Sequence, residues 1–162
     1  LVAGGVGVFV LTREKLKKKG KKILFDDLRE KTYTRAELMQ MKPLVLAFVG
    51  DCVYELYIRN YLISEKYRDV NELHRKSVFF VKAKAQAYIL RALEPELNDE
   101  ERNIVRRGRN AHPHTVPKNA EVADYRQATA YEALIGYLYL SGSARLAAIL
   151  EKSVAIGRMR NE

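Results

Sequence analysis

Apolar residues recur along this chain at the helical spacing of three to four, and the pattern is densest over residues 44–63, LVLAFVGDCVYELYIRNYLI. There Leu46, Val49, Val53, Leu56 and Tyr57 fall on one face, with Leu44, Ile58 and Leu62 on the opposite face around Asp51. A helix that is apolar nearly all round is a buried one. This segment is therefore expected to bury a carboxylate. Glu55 stands four residues after Asp51 and shares its face. Upstream, Thr34 with Glu37 three residues on has the form of a capping box, opening a short helix that runs into Pro43. Downstream, residues 70–93 read as one long helix with Val70, Leu73, Phe80, Val81, Ala87 and Leu90 inward. Pro95 stops it, and Asn98 with Glu101 makes a second capping box for a short helix ending at Gly108.

The final third repeats the oddity of residues 44–63. Glu132 is the only formal charge between Arg126 and Arg145, and Tyr131, Ala133, Leu134, Ile135, Leu138 and Leu140 surround it. Gly136 inside that apolar helix costs about 1 kcal/mol relative to Ala, which predicts a close helix contact there. A last helix from Ala144 to Met159 turns Leu146, Ile149, Leu150 and Val154 inward. Aliphatic and charged residues dominate and turn residues are scarce, with only 9 Gly and 4 Pro, so the fold class is all-α.

Charge narrows the function. The formal net charge is +9 and the pI about 9.6, which favours a polyanionic partner, nucleic acid or an anionic membrane surface. Arg75, Lys76, Lys82 and Lys84 follow one another on the 70–93 helix with no acid among them. Taken singly, most of these are accounted for as a solvated helix face. Residues 106–120, RRGRNAHPHTVPKNA, form a basic loop carrying Arg106, Arg107, Arg109 and Lys118, where arginines and backbone amides can grip phosphates. His112 and His114 in the same loop are two residues apart, which is not the spacing of a helical metal pair.

Cys52 is the only cysteine, so an intrachain disulfide and a multi-Cys zinc site are excluded. It suits a reducing compartment, most simply the cytoplasm, and reads as a small core residue rather than a nucleophile. No apolar run is long enough to cross a bilayer, and no membrane partner is expected. Residues 1–32 are unlike the rest, an apolar glycine-containing stretch followed by clustered lysines. They read as an N-terminal extension (tag, anchor or processing remnant) set apart from a domain at 33–162.

On its helix alone, Asp51 is explained as well by an arginine partner or a helix cap as by a metal. Two such carboxylates in one basic protein have a more economical account. The fold brings Asp51 and Glu132 together, and a divalent cation relieves their repulsion. Hard oxygen donors without Cys or paired His select Mg2+, with Mn2+ as a substitute. A magnesium ion that keeps several waters, set beside a basic surface, is equipment for phosphodiester hydrolysis without a side-chain nucleophile.

The motifs then resemble a known family. LAFVGDCVYEL is similar to the signature helix of the ribonuclease III family, and TAYEALIGYLYLSG to that family's second carboxylate helix. HRKSVFFVKAKAQA and the stretch from RRGRNAHPHTVPKNA onward look closer still to its small bacterial Mini-III branch, which has no double-stranded-RNA-binding domain. The resemblance runs over about residues 34–155 in order. It implies a ribonuclease III endonuclease-domain-like helical fold at 33–162, as a homodimer whose signature helices pack across the interface, with Phe48, Val49 and Cys52 as candidates for that contact.

Carried over, Asp51 and Glu132 are the catalytic and metal-binding pair. Ala47 stands where larger relatives have a glutamate and Thr129 where they usually have an aspartate, so water is expected to fill those positions. Glu55 is held as a supporting or structural residue. The resemblance further implies an endoribonuclease that hydrolyses double-stranded RNA to 5'-phosphomonoesters, gripping it with the basic residues named above. The implied substrate is the 23S rRNA precursor in ribosome biogenesis, with a large-subunit ribosomal protein as a possible helper. Two alternatives stay open: a catalytically weakened RNA-binding module of the same fold, and a membrane-associated helical adaptor suggested by the apolar, lysine-rich start.

Overall fold

Helix starts fall where the capping patterns put them. In the computed structural model, which describes residues 31–111 and 122–160, the Glu37 backbone N–H donates to the Thr34 hydroxyl at 3.2 Å. The Thr34 N–H donates in return to the Glu37 carboxylate at 2.7 Å, completing the box that opens α1 (Arg35–Gln40). Pro43, with no N–H to lose, begins α2 (Pro43–Ser64). Asp69 caps α3 (Val70–Val81) by accepting the Glu72 N–H at 2.8 Å. Next come α4 (Ala83–Leu93) and a 3-10 turn at Glu94–Glu96 that contains Pro95. The Asn98–Glu101 box opens α5 (Asp99–Asn110), and α6 (Val122–Leu140) and α7 (Arg145–Met159) complete the order. Every described element is helical, as the all-α reading expects.

α6 is the central rod, with α2, α4 and α5 packed around it. Tyr54 of α2 and Tyr131 of α6 are fully buried and meet edge to face, ring centroids 5.0 Å apart. The Tyr131 hydroxyl donates to Ser153 Oγ at 2.8 Å, and Ser153 in turn donates to the Ile149 carbonyl, so the polar end of Tyr131 is satisfied through α7, while the Tyr54 hydroxyl donates to the Phe80 carbonyl at 3.4 Å. Arg145, at the start of α7, pairs with the buried Glu101 carboxylate of the α5 cap. One residue thus closes a helix start and anchors another helix.

Three sequence expectations are corrected. The helix expected over 70–93 is two, because Lys82 takes an extended conformation (φ −63°, ψ 147°). Continued at the helical period, the buried face of Ser77 and Phe80 would run on through Lys84, Tyr88 and Arg91, all exposed. The break re-aims the chain so that Gln86, Ile89, Leu90 and Leu93 turn inward instead. Second, α2 is not buried all round. Leu46, Val53, Tyr54, Ile58 and Leu62 face the core, whereas Val45, Phe48, Asp51, Cys52 and Leu56 lie outside. Phe48 is 76% exposed and Cys52 is not a core residue.

Third, α5 continues through Gly108 to Asn110, so Arg106, Arg107 and Arg109 sit on a helix rather than on a loop. Gly108 does not stop α5. A Cβ there would lie 2.7 Å from the Ala130 Cα of α6, so the glycine serves helix packing. The expectations for residues 1–30 and for His112, His114 and Lys118 lie outside the described residues.

Candidate active site

Two glycines set the distance between the carboxylate helices. A Cβ on Gly50 would lie 1.8 Å from the Glu132 carbonyl oxygen, and one on Gly136 would lie 2.0 Å from the Leu46 carbonyl oxygen. Neither contact can exist with any side chain present, so α2 and α6 touch backbone to backbone across adjacent turns. The close contact expected at Gly136 is found, and Gly50 is its counterpart on α2. Asp51 follows Gly50 directly, and Glu132 is the residue Gly50 touches. The helix contact is therefore what brings the two carboxylates into one another's field.

Their titration reports that field. Burial pushes the half-buried Glu132 carboxyl up to about 7, the negative charge of Asp51 adds to the rise, and the Gln86 amide opposes it. Asp51 is also raised, first by burial against its neighbours and then by Glu55, although its side chain is exposed and not enclosed as the sequence pattern suggests. Among the described residues neither carboxylate forms an ion pair with Lys or Arg, so the arginine-partner account of Asp51 falls away. Glu55, by contrast, is paired one turn on with Arg59, whose Nε donates to it at 3.1 Å.

The donor set fits a hard divalent cation. Two carboxylate side chains repel one another, with Asp51 open to solvent, and no cation among the described residues answers them. The protein shell is thin. Ala47 offers no oxygen from its side chain, and the buried Thr129 hydroxyl donates to the Tyr125 carbonyl at 3.1 Å, which ties it to its own helix. Among the described residues no cluster of three or more His, Cys, Asp or Glu side chains is placed to hold a metal. A cation that keeps most of its waters, as magnesium does, suits two carboxylates and little else.

The expected RNA-gripping residues divide into two groups. Arg75 and Lys84 are exposed on α3 and α4. Lys76 lies 3.8 Å from Glu72 and over the Tyr67 ring, and Lys82 lies over the Phe79 ring. Arg106 reaches Asn103 on its own helix. Arg107 and Arg109 are built into the fold: Arg107 donates to the Met41 carbonyl at 2.6 Å, and Arg109 pairs with Glu94 and donates to Gln127 at 3.1 Å. One site neighbour escaped the sequence reading. Gln86 is 1% exposed beside the carboxylates, and its only signal was a polar residue between Ala85 and Ala87 in an otherwise inward-facing turn.

This pairing of a Gly-Asp helix with a Glu helix defines a class, and the comparisons agree with it. The Ribonuclease III domain family matches residues 44–143, which take in α2 through α6 and both carboxylates. A Mini-ribonuclease 3 from Thermoanaerobacter is 51% identical over 76% of this chain and 87% of its own length. One from Clostridium tetani is 52% identical over 67% of this chain and 72% of its own length. A Fusobacterium nucleatum protein solved by X-ray crystallography superposes with a TM-score of 0.66 at 32% identity, over 72% of this chain and 95% of that one. The chain belongs to the Mini-ribonuclease 3 branch of the ribonuclease III family and is an endoribonuclease. No helix among the described residues is long and apolar enough to cross a membrane.

Proposed function

We propose that the chain hydrolyses double-stranded RNA with the help of a divalent cation held between Asp51 and Glu132, Mg2+ in the first instance with Mn2+ able to replace it. The observation that carries this reading is the backbone contact of Gly50 with Glu132, which fastens two mutually repelling carboxylates together with no Lys or Arg among the described residues paired to either. Bound there, the cation would supply an acidified water and neutralise charge building on the leaving oxygen. Asp51 and Glu132 hold and orient it, in their ionised forms. Exposed Arg75, Lys84 and Arg106 meet phosphates, and A-form RNA is read mainly by shape, phosphates and 2'-hydroxyls.

The stripe of Val45, Phe48, Cys52 and Leu56 left bare on α2 supports a homodimer joined through this helix. Two sites would then face one duplex and cut both strands, leaving short 3' overhangs and 5'-phosphates. The natural substrate on this reading is the duplex stem of the 23S rRNA precursor in the cytoplasm, with a large-subunit ribosomal protein shaping it.

A second reading has one observation in its favour. Ala47 and the self-bonded Thr129 leave the site two side-chain ligands, which would suit a module that binds RNA without cutting it. One experiment separates the two. The full chain and Glu132→Gln are incubated with duplex RNA, duplex DNA and single-stranded RNA, each in Mg2+ and in EDTA. Cleavage of duplex RNA alone, lost in EDTA and in the variant, supports the nuclease. Retained binding without any cleavage supports the module.

A further inference from the structure

The most deeply buried polar side chain near the site has no stated task. Gln86 is 1% exposed, and among the described residues neither its Nε2 nor its Oε1 finds a hydrogen-bond partner. Unpaired buried amides cost stability and are few in folded proteins, so each one calls for a reason. Packing supplies none. Ala85, Ala87, Ile89 and Leu90 on the same helix are apolar and buried, and Leu or Met at 86 would be buried without stranding two polar atoms. The break at Lys82 is what turns this residue inward, since it re-aims α4 onto α6.

We propose that Gln86 is a positioning residue for the active site: once the cation site is loaded, its amide N–H turns to donate to the Glu132 carboxylate and fixes which oxygen faces the cation. The inference rests on the reading of Asp51 and Glu132 as the cation site. Its geometry comes from the buried, unsatisfied amide on the helix packed against Glu132's own helix. The Glu132 carboxylate, on that neighbouring helix, lies within the amide's field. A carboxylate without such a donor can turn away from the cation. Partners that orient a ligand from behind typically govern metal affinity and activity by ten- to a hundredfold.

The test is Mn2+ binding to the RNA-free full chain, followed by electron paramagnetic resonance, together with melting in EDTA and steady-state cleavage of duplex RNA. The variants are Gln86→Met, Gln86→Leu and Glu132→Gln. Both Gln86 variants should melt at or above the wild-type temperature, because an unsatisfied amide has been removed. Their Mn2+ affinity should nevertheless fall about tenfold or more, and kcat should fall with KM for RNA unchanged. Wild-type Mn2+ affinity and wild-type kcat in either folded variant would overturn the inference. If Glu132→Gln loses Mn2+ while Gln86→Met does not, Gln86 alone is wrongly assigned. If Glu132→Gln binds Mn2+ as wild type does, the cation site itself is misread and the role of Gln86 falls with it.

Discussion

Gly50→Ala adds a single methyl group, and the structure gives its consequence a sign. At an unhindered helix position the exchange stabilises by about 1 kcal/mol, because Ala gives up less backbone freedom on folding. At Gly50 the new carbon would lie 1.8 Å from the Glu132 carbonyl oxygen and 2.7 Å from the Gly136 nitrogen. All of these are backbone atoms, so no rotamer change relieves them. α2 and α6 must separate by more than about 1 Å, and close-packed cores transmit such shifts rather than absorb them. Overpacking usually costs about 1–3 kcal/mol, and a backbone-to-backbone clash belongs at the upper end. After the propensity gain is subtracted, a net loss of about 2 kcal/mol remains, or a fall in Tm of roughly 4–8 °C for a chain of this size. The same separation draws Asp51 from Glu132. Misplacement by about 1 Å can cost a hundredfold in rate, so kcat should fall by about that factor. Thermal melting by circular dichroism and single-turnover cleavage read both effects. A Gly50→Ala chain that melts at or above the wild-type temperature would refute the helix contact on which the site depends.

The remaining predictions probe charge and surface. In EDTA, folded Glu132 has its carboxyl at about 7 against 4.5 for an unperturbed glutamate, so between these values the folded chain keeps a proton that the unfolded chain has released. Stability should therefore fall as pH rises through that window, by at most about 3 kcal/mol, and Glu132→Gln should remove that share of the slope; parallel urea-midpoint profiles for the two proteins would contradict it. Asp51→Asn and Glu132→Gln should each abolish cleavage while sparing duplex binding in a mobility-shift assay, and full activity in either would sink the assignment. Arg107→Gln should cost about 1–2 kcal/mol through its lost bond to the Met41 carbonyl and leave the salt dependence of RNA binding alone. Lys84→Gln with Arg106→Gln should do the reverse, lowering the salt slope by about 1 per residue, and an unchanged slope would remove them from the RNA contact. Phe48→Glu should give a monomer in sedimentation velocity; a dimer as stable as wild type would place the interface elsewhere.

Much of this architecture was legible in local chemistry. Capping boxes at Thr34 and Asn98 need only their own four residues, and both are formed. Gly136 could be read as a close contact because a glycine in an apolar helix has a cost that something must offset. The misreadings share a cause of the opposite kind. A run of apolar residues over 44–63 does not say which side meets this chain's own core and which is left for another surface, so Cys52 read as a core residue although it lies on the outer side with Phe48. The break at Lys82 is set by the need to face both α2 and α6, which no window of sequence around Lys82 contains. Arg107 and Arg109 read as loop residues because the partners that tie them into the fold, Met41, Glu94 and Gln127, are distant in the sequence.

The same long-range logic explains why the site could be identified at all. Its members violate local rules, and each violation is harmless only in the presence of another. Gly50 and Gly136 weaken their own helices, yet together they permit a contact that no side chain would allow. Glu132 is held where ionisation is resisted by burial and by Asp51, a conflict that the proposed cation would relieve. A sequence optimised for stability alone would place alanine at 50 and 136 and an apolar residue at 132, and each of those choices would remove part of the proposed cation site. The conflict between local preference and the observed residue is thus a measure of function, and it is concentrated where α2 and α6 touch.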